Sequence, residues 1–317
     1  MSAVVAAAAA LVAVVVVGVT VAQTDRPAEA TRRAPVVREG APPLSLDLGV
    51  RVDREALDLR QALERYSRDD LGGARRLFER HDSLEARVGQ AFARWPDDTV
   101  ARMTQLAGLH PDSALVQLNL GTALYWAGEA GSAAAWRAAR ELEPDTAYAV
   151  TAGNLLYPRF ARNLPVFVPA SSLPAAIRAL PAPAQFRALE RRASGGDREG
   201  KLFYGVALQR LGQQRSAERV FRELARAAPN DVEAQVAAAV ARFDKSDPSR
   251  AFSRLGPLSR RFPGAATVRF HLGVLLLWSG EVTEARRQLR LARTVEPGSA
   301  IARQAKRYLN ELAAAGI

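Results

Sequence analysis

The sequence predicts an all-α chain, and three observations point to this fold class. From residue 46 onward, apolar residues recur at helical spacing in segments of about 12 to 15 residues. Gly, Asp, Asn or Pro separates the segments, and almost no stretch alternates as a strand does. Small residues and prolines also return at intervals of 34 residues. Together these features predict a solenoid of stacked helix pairs.

Composition restricts the chemistry that the chain can perform. Of its 317 residues, 48% are hydrophobic and 24% charged, the balance of a globular protein. Cysteine is absent, which excludes disulfides, thiolate nucleophiles and cysteine zinc sites. His81, His110 and His271 lie too far apart for a short metal motif, and neither a phosphate-binding loop nor a nucleophile elbow is present. We therefore expect no enzyme, no cofactor and no small-molecule substrate.

The amino terminus is predicted to associate with a membrane. Ala3 to Ala22 form an uncharged run of 20 residues, rich in Val and Ala, which spans about 30 Å as a helix. The interpretation we prefer is a transmembrane anchor over residues 1–22. The alternative is a signal peptide cleaved after the small residues Thr20-Val21-Ala22, although a charged n-region is missing. The anchor interpretation makes the chain a single-pass protein of a cell membrane.

Residues 23–45 are predicted to form an extended tether, since they contain four prolines and little apolar content. The arginines in this stretch favour a cytoplasmic body by the positive-inside rule. Interleaved Asp25, Glu29 and Glu39 weaken that argument. The side of the membrane on which the body lies therefore stays open.

The repeat is clearest in the carboxy-terminal third. An offset of 68 residues, twice 34, relates Gly205 to Gly273 and Pro229 to Pro297, and Ala239 and Pro263 occupy the intermediate steps. Glycine inside a helix costs about 1 kcal/mol relative to alanine, so close helix contact is the expected compensation. Three units follow without a gap, at 198–231, 232–265 and 266–299.

These units resemble the tetratricopeptide repeat. The first shows the family pattern in Tyr204-Gly205, Leu208, Gly212, Ala217, Phe221 and Pro229, and the third in Leu272-Gly273, Leu276, Gly280, Ala285, Leu289, Ala292 and Pro297. The resemblance implies a right-handed α-solenoid of antiparallel helix pairs. It also implies a protein-interaction scaffold, in which the first helices of the units line a groove for a partner.

Further units are predicted on both sides of this array. Residues 112–144 follow the pattern through Leu120-Gly121, Gly128, Trp136 and Pro144. Weaker pairs at 53–81 and 83–111 complete a first sub-array over residues 46–144. An amphipathic segment over 300–317 is expected to cap the far end of the solenoid.

A divergent unit over residues 145–197 interrupts the register with about 16 inserted residues. Six prolines punctuate the inserted part, which is also apolar at Phe160, Leu164 and the run Val166-Phe167-Val168. Two interpretations remain open for residues 157–183. The segment either fills the seam between two sub-arrays or occupies the groove as a loop.

The resemblance assigns the partner groove to twelve residues on the first helices. They are Leu202, Val206, Gln209, Val236, Val240, Phe243, Phe270, Val274 and Leu277, with Leu118, Thr122 and Tyr125 upstream. The lining is largely apolar, which favours a protein or peptide partner, and an envelope-associated assembly is the expected setting.

A second surface is basic. The net charge of +11 arises in the carboxy-terminal half, which carries 26 basic and 13 acidic residues. Arginines recur every three to four residues along two second helices, at Arg215, Arg219, Arg222, Arg226, Arg286, Arg290 and Arg293. As an alternative function, this outer face binds anionic lipid or acidic proteins. Nucleic acid is disfavoured because no nucleic-acid-binding motif accompanies the charge.

Overall fold

The computed structural model describes residues 38–316, which form sixteen α-helices and no strand. The all-α prediction is confirmed for these residues. The helices are α1 (Arg54–Ser67), α2 (Leu71–Phe78), α3 (Leu84–Phe92), α4 (Thr99–Leu109), α5 (Ala114–Ala127), α6 (Ser132–Leu142), α7 (Ala147–Leu156), α8 (Ala175–Arg178), α9 (Ala182–Ser194), α10 (Arg198–Arg210), α11 (Gln214–Ala227), α12 (Val232–Val240), α13 (Ser249–Arg261), α14 (Ala266–Trp278), α15 (Val282–Val295) and α16 (Ala300–Ala314).

Consecutive helices pack against each other as pairs. The pairs are α1/α2, α3/α4, α5/α6, α10/α11, α12/α13 and α14/α15, and α16 packs on the last of them. The divergent stretch differs, because α7 packs on α5 and α6 whereas α9 packs on α10. Its two longer helices therefore extend the neighbouring arrays on opposite sides of the inserted segment.

Glycines shape the pairs in two ways. Gly128, Gly212 and Gly280 have φ angles of 72°, 76° and 82° at the turns between first and second helices, in the left-handed region that favours glycine. Inside the first helices, glycine permits close contact. A Cβ on Gly121 would lie 2.6 Å from the Trp136 ring, and one on Gly273 would lie 2.9 Å from Leu289. These contacts explain why a helix interior keeps glycine despite its cost.

The apolar core is divided between two sub-arrays. One cluster collects buried side chains from residues 48–123 and another from residues 167–312, and a small cluster around Trp136 joins α5, α6 and α7. Polar contacts connect the sub-arrays. Arg140 donates to both carboxylate oxygens of Asp244 at 2.6 and 2.7 Å, and Asp145 accepts from the backbone N–H of Arg215 at 2.8 Å.

The described end of the predicted tether is docked on the first sub-array, which corrects the prediction of an extended linker up to residue 45. Pro42 is buried, and Ala41 and Leu44 pack against the first core. The Tyr66 hydroxyl donates to the Pro42 carbonyl at 2.6 Å. Tertiary packing overrides the proline-rich composition here because the segment has an apolar surface to cover.

The inserted segment lies across the first helices of the second sub-array. Residues 157–174 contain no regular helix, yet Phe167 is fully buried in the core formed by α10 to α16. Phe160, Leu164, Val166 and Val168 pack against the same core. Of the two interpretations that the sequence left open, the structure favours the loop that occupies the groove, while Leu164 also reaches the seam between the sub-arrays.

The predicted membrane anchor at residues 1–22 lies outside the described residues, as does the first part of the tether. Among the helices within residues 38–316, none combines the length and the apolar character that a membrane crossing requires.

Candidate protein-interaction faces

Two segments of the chain lie in extended form across first-helix faces. We name residues 38–48 the N-terminal strap and residues 160–172 the C-terminal strap. The C-terminal strap runs opposite to α12, since Phe160 contacts Phe243 beyond the end of this helix and Ala170 bonds to Glu233 in its first turn. It also touches α10 and α14 on either side. The three helices together form what we call the C-terminal face.

Phe167 anchors the C-terminal strap. Its ring stacks on the His271 imidazole with centroids 4.9 Å apart, and it meets the edge of the Phe221 ring at 5.8 Å. The side chain is fully buried. Burying a phenylalanine side chain contributes about 1.5–3 kcal/mol, so this residue supplies a large part of the strap's apolar stabilisation.

Three side chains of the C-terminal face accept hydrogen bonds from backbone N–H groups of the strap. Gln209 Oε1 accepts from Phe167 at 2.9 Å, His271 Nε2 accepts from Val168 at 2.9 Å, and Glu233 Oε1 accepts from Ala170 at 2.7 Å. Backbone recognition of this kind does not depend on the side chains of the bound segment. The face therefore holds an extended backbone through polar groups and chooses its side chains through apolar pockets.

His271 is neutral and has a defined tautomer. Its Nδ1 lies 2.7 Å from the Thr267 carbonyl and must donate to it, which leaves Nε2 free to accept the Val168 N–H. Burial lowers the pKa of His271 to about 4, while the bond to Thr267 acts in the opposite direction. A proton on Nε2 would face the Val168 N–H and break this contact.

Lys245 fixes the start of the C-terminal strap. Its Nζ donates to the Ala161 carbonyl at 2.6 Å and to the Asn154 side chain at 2.5 Å. The side chain is only 3% exposed, and burial lowers the pKa of Lys245 to about 8. The ammonium group ties the strap to the end of α7.

The N-terminal strap lies on the first sub-array in a similar way. Asn119 of α5 accepts the Ser45 N–H at 3.0 Å and donates to the Ser45 carbonyl at 2.9 Å, so one amide holds both backbone groups. The Arg38 guanidinium lies 3.5 Å from the ring centroid of Tyr125, near the end of the same helix. This strap therefore also runs opposite to the helix that carries its main contact.

Asn119 and His271 occupy the same position in their repeats. Each lies two residues before the glycine at which its helix contacts the second helix, Gly121 in one case and Gly273 in the other. Both side chains are fully buried, and both hold the backbone of a strap. This repeat position is the shared polar contact of the two faces.

The predicted groove residues fall into three groups. Gln209 and Phe243 contact the C-terminal strap directly. Tyr125 of the upstream unit belongs with the first group, because it is exposed and its ring contacts Arg38 of the N-terminal strap. A second group lies in the core beneath the strap and comprises Leu202, Val206, Val236, Val240, Val274 and Leu277. Leu277 is half-buried, and the others are buried.

The third group packs between helices, which corrects its prediction as groove lining. Phe270 meets the ring of Tyr308 on α16 at 5.6 Å. Leu118 lies in the small cluster with Trp136, and Thr122 donates to the Leu118 carbonyl within α5. An apolar repeat position alone does not distinguish a groove from helix packing, since both bury the side chain.

The sequence analysis missed Asn119 and Glu233 as contact residues, and it considered His271 only as a possible metal ligand. A signal was present, because Asn119 and His271 are polar interruptions of apolar helices at equivalent repeat positions. A buried polar side chain needs a hydrogen-bond partner. Here a strap backbone supplies part of that requirement.

The predicted basic face lies on α11 and α15. Arg226, Arg290 and Arg293 are exposed, and none of them forms an ion pair within residues 38–316. Arg219 donates to Ser216, Arg222 is 4.0 Å from Glu218, and Arg286 is half-buried. Arg215 instead lies at the seam between the sub-arrays, where it lines a cavity.

Within the described residues, no three His, Asp or Glu side chains cluster closely enough to hold a metal ion.

Comparison with known proteins finds likenesses among solved structures. No protein-family model matches the chain, and no curated protein matches it. A solved structure that resembles it is that of a tetratricopeptide repeat protein from Parabacteroides merdae ATCC 43184, with 13% sequence identity and a TM-score of 0.34. The match covers 81% of this chain and 98% of the other.

Proposed function

We propose that the protein is a non-enzymatic scaffold that binds extended segments of partner proteins on its C-terminal face. The observation that carries this proposal is the C-terminal strap, which lies on the face as an extended chain. Gln209, His271 and Glu233 hold its backbone, and a buried phenylalanine supplies the apolar anchor. A partner segment with an aromatic anchor and few charges matches these contacts.

The strap competes with the partner. A tethered segment acts at an effective concentration of the order of millimolar, so a partner gains access only when it binds more tightly or when the strap is displaced. The strap begins at the Lys245 contact and ends before α8. It contains no helix of its own, so its release leaves the helix pairs intact.

A peptide-binding experiment tests the face. Residues 164–171 are replaced by a Gly-Ser sequence of equal length, and a fluorescent peptide with the sequence of residues 158–172 is added. We expect the variant to bind this peptide at least tenfold more tightly than the natural protein does, because its own strap no longer competes. Anisotropy measures binding, and circular dichroism verifies the fold.

The matched control is the same peptide with Phe167→Ala. It should bind the variant clearly less tightly, because the buried anchor is lost. A well-folded variant that ignores the natural peptide, or that binds both peptides equally, contradicts the proposal. Phe270→Asp is a poor test of the face, since Phe270 is fully buried against α16 and the charge would destabilise the array.

We further propose that residues 1–22 anchor this scaffold in a cell membrane, as part of an envelope-associated assembly. The length and composition of the run support this proposal. Carbonate extraction of cell membranes should leave the full chain in the pellet and release a variant that lacks residues 1–22. Release of the full chain by carbonate contradicts the anchor.

A second candidate function uses the basic face. Arg226, Arg290 and Arg293 are exposed, and no carboxylate in the described part of the chain pairs with them, which leaves them available to anionic lipid or an acidic protein. Vesicles with anionic headgroups should then bind the protein, less so at high salt and less so after Arg290→Glu with Arg293→Glu. Binding that does not change with salt contradicts this function.

A further inference from the structure

A cavity of about 110 Å³ lies at the seam between the two sub-arrays. Arg140, Ala149 and Gly153 line it from α6 and α7, and residues 214, 215, 218, 241–245 and 250 line it from the second sub-array. A single water molecule needs only about 10–15 Å³, so the cavity admits a larger guest. It adjoins the start of the C-terminal strap, since Leu164, Phe243 and Lys245 also line it.

The lining of this cavity is strongly basic. Its positive residues are Arg140, Arg215, Arg242, Lys245 and Arg250, against the two carboxylates of Glu218 and Asp244. Two of the cations are engaged, since Arg140 pairs with Asp244 and Lys245 donates to neutral oxygens. The other three, Arg215, Arg242 and Arg250, have no carboxylate partner within residues 38–316.

The strongest indication of a bound anion comes from Arg242. Its Nε is shielded from solvent and has no hydrogen-bond partner among the described residues. A buried charged donor without an acceptor is costly, and this donor belongs to a cation at the cavity wall. An anion in the cavity would accept from it and offset the charge of Arg215 and Arg250.

Access and local environment fit such a ligand. Arg215 and Arg250 are exposed, so the cavity opens to solvent on their side. On its inner side lies Lys245, which is almost fully buried. Charge interactions weaken less in a partly desolvated site than on an open surface.

We propose that this cavity binds a compact oxyanion with more than one negative charge, such as inorganic phosphate. Arg215, Arg242 and Arg250 are its ligands from the second sub-array. Arg140 faces the same cavity from α6 and keeps its pairing with Asp244. The ligand therefore lies beside the interface that Asp145 and Arg140 connect.

Thermal unfolding with sodium phosphate, against sodium chloride at equal ionic strength, tests the proposal. A ligand that binds only the folded state raises the melting temperature with its concentration. We expect phosphate to raise the melting temperature of the natural protein. In Arg242→Gln, the phosphate concentration that gives half of this effect should be at least tenfold higher. Arg250→Gln, at an exposed position, should act in the same direction if Arg242→Gln does not fold.

The matched control is Arg290→Gln, which removes an exposed arginine from the basic face. It should retain the response of the natural protein. If Arg290→Gln and Arg242→Gln weaken the phosphate response equally, the effect is one of overall charge and the proposed site is wrong. The site is also wrong if phosphate does not raise the melting temperature of the natural protein. Phosphoserine, tested in parallel, distinguishes a free ion from a phosphate carried on a larger molecule, because only an open site accepts the monoester.

Discussion

The first-helix faces of the two sub-arrays hold their straps through different contacts. On the first sub-array, Asn119 holds both backbone groups of Ser45, and Arg38 stacks on the partly exposed Tyr125 at the edge. On the second sub-array, the main anchor is the fully buried Phe167. The N-terminal strap therefore combines an exposed cation–π contact with several smaller apolar contacts, such as those of Pro42 and Leu44, whereas the C-terminal strap inserts one fully buried phenylalanine.

This difference indicates how firmly each strap is held. Hydrogen bonds contribute about 0.5–1.5 kcal/mol each, and exposed cation–π contacts about 0.5–1 kcal/mol. A fully buried phenylalanine contributes more than either. We expect the N-terminal strap to open more readily, and the following substitutions test that order.

The largest effect is expected for Phe167→Ala. Loss of a fully buried phenylalanine lowers the free energy of unfolding by about 3–5 kcal/mol, or by the whole binding energy of the strap if that is smaller. Urea denaturation followed by circular dichroism measures the change. Phe186→Ala, at a half-buried position outside the strap, is the control and should cost less; equal losses contradict the anchor role.

The lowered pKa of His271 should make the free energy of unfolding depend on pH. Its pKa of about 4 lies below the usual 6.5, so the unfolded chain binds this proton at pH values where the folded chain does not. Stability therefore falls as the pH drops from about 6.5 to about 4, by about 3 kcal/mol in all.

Asp231 and Asp244 have lowered pKa values, so their protonation at low pH reduces the stability of the fold further. The measured quantity is therefore the difference between the natural protein and His271→Gln across this window. His110→Gln serves as the control and should preserve the slope of the natural protein. An unchanged slope in His271→Gln rules out the neutral, buried histidine.

A smaller effect is expected for Asn119→Ala. It removes both bonds to Ser45 and the bond to the Leu115 carbonyl, at a cost of about 1–3 kcal/mol. Hydrogen exchange should show faster exchange of the Ser45 amide and no change at Phe167. Thr122→Ala is the control, because Thr122 bonds only within α5; exchange that rises at both straps contradicts independent faces.

The smallest effect is expected for Arg38→Ala, which removes the stacking on Tyr125 and a bond to its carbonyl. The cost is about 0.5–1 kcal/mol. Limited proteolysis within residues 38–48 should accelerate slightly while the helices stay protected. A loss as large as that for Phe167→Ala would reverse the order of the two straps.

Much of the helical framework was predictable, whereas the interaction faces were not. Helical periodicity and the spacing of Gly205 and Gly273 indicated the helix pairs, because one repeat solves the same local packing problem each time. The inserted segment has no periodicity, so its path depends on distant contacts. Phe167 lies 104 residues before His271 in the chain, and no local pattern joins them.

The sequence by itself determined where the helices of this protein form, where they stop, and which small residues allow them to approach. These features arise from interactions between near neighbours in the chain: caps, glycine turns and the burial of one apolar stripe. Only the tertiary structure decided that two irregular segments cover the first-helix faces and that unpaired arginines surround a cavity at the seam. Those arrangements depend on contacts between residues far apart in sequence, and their energies exist only once the sub-arrays have assembled.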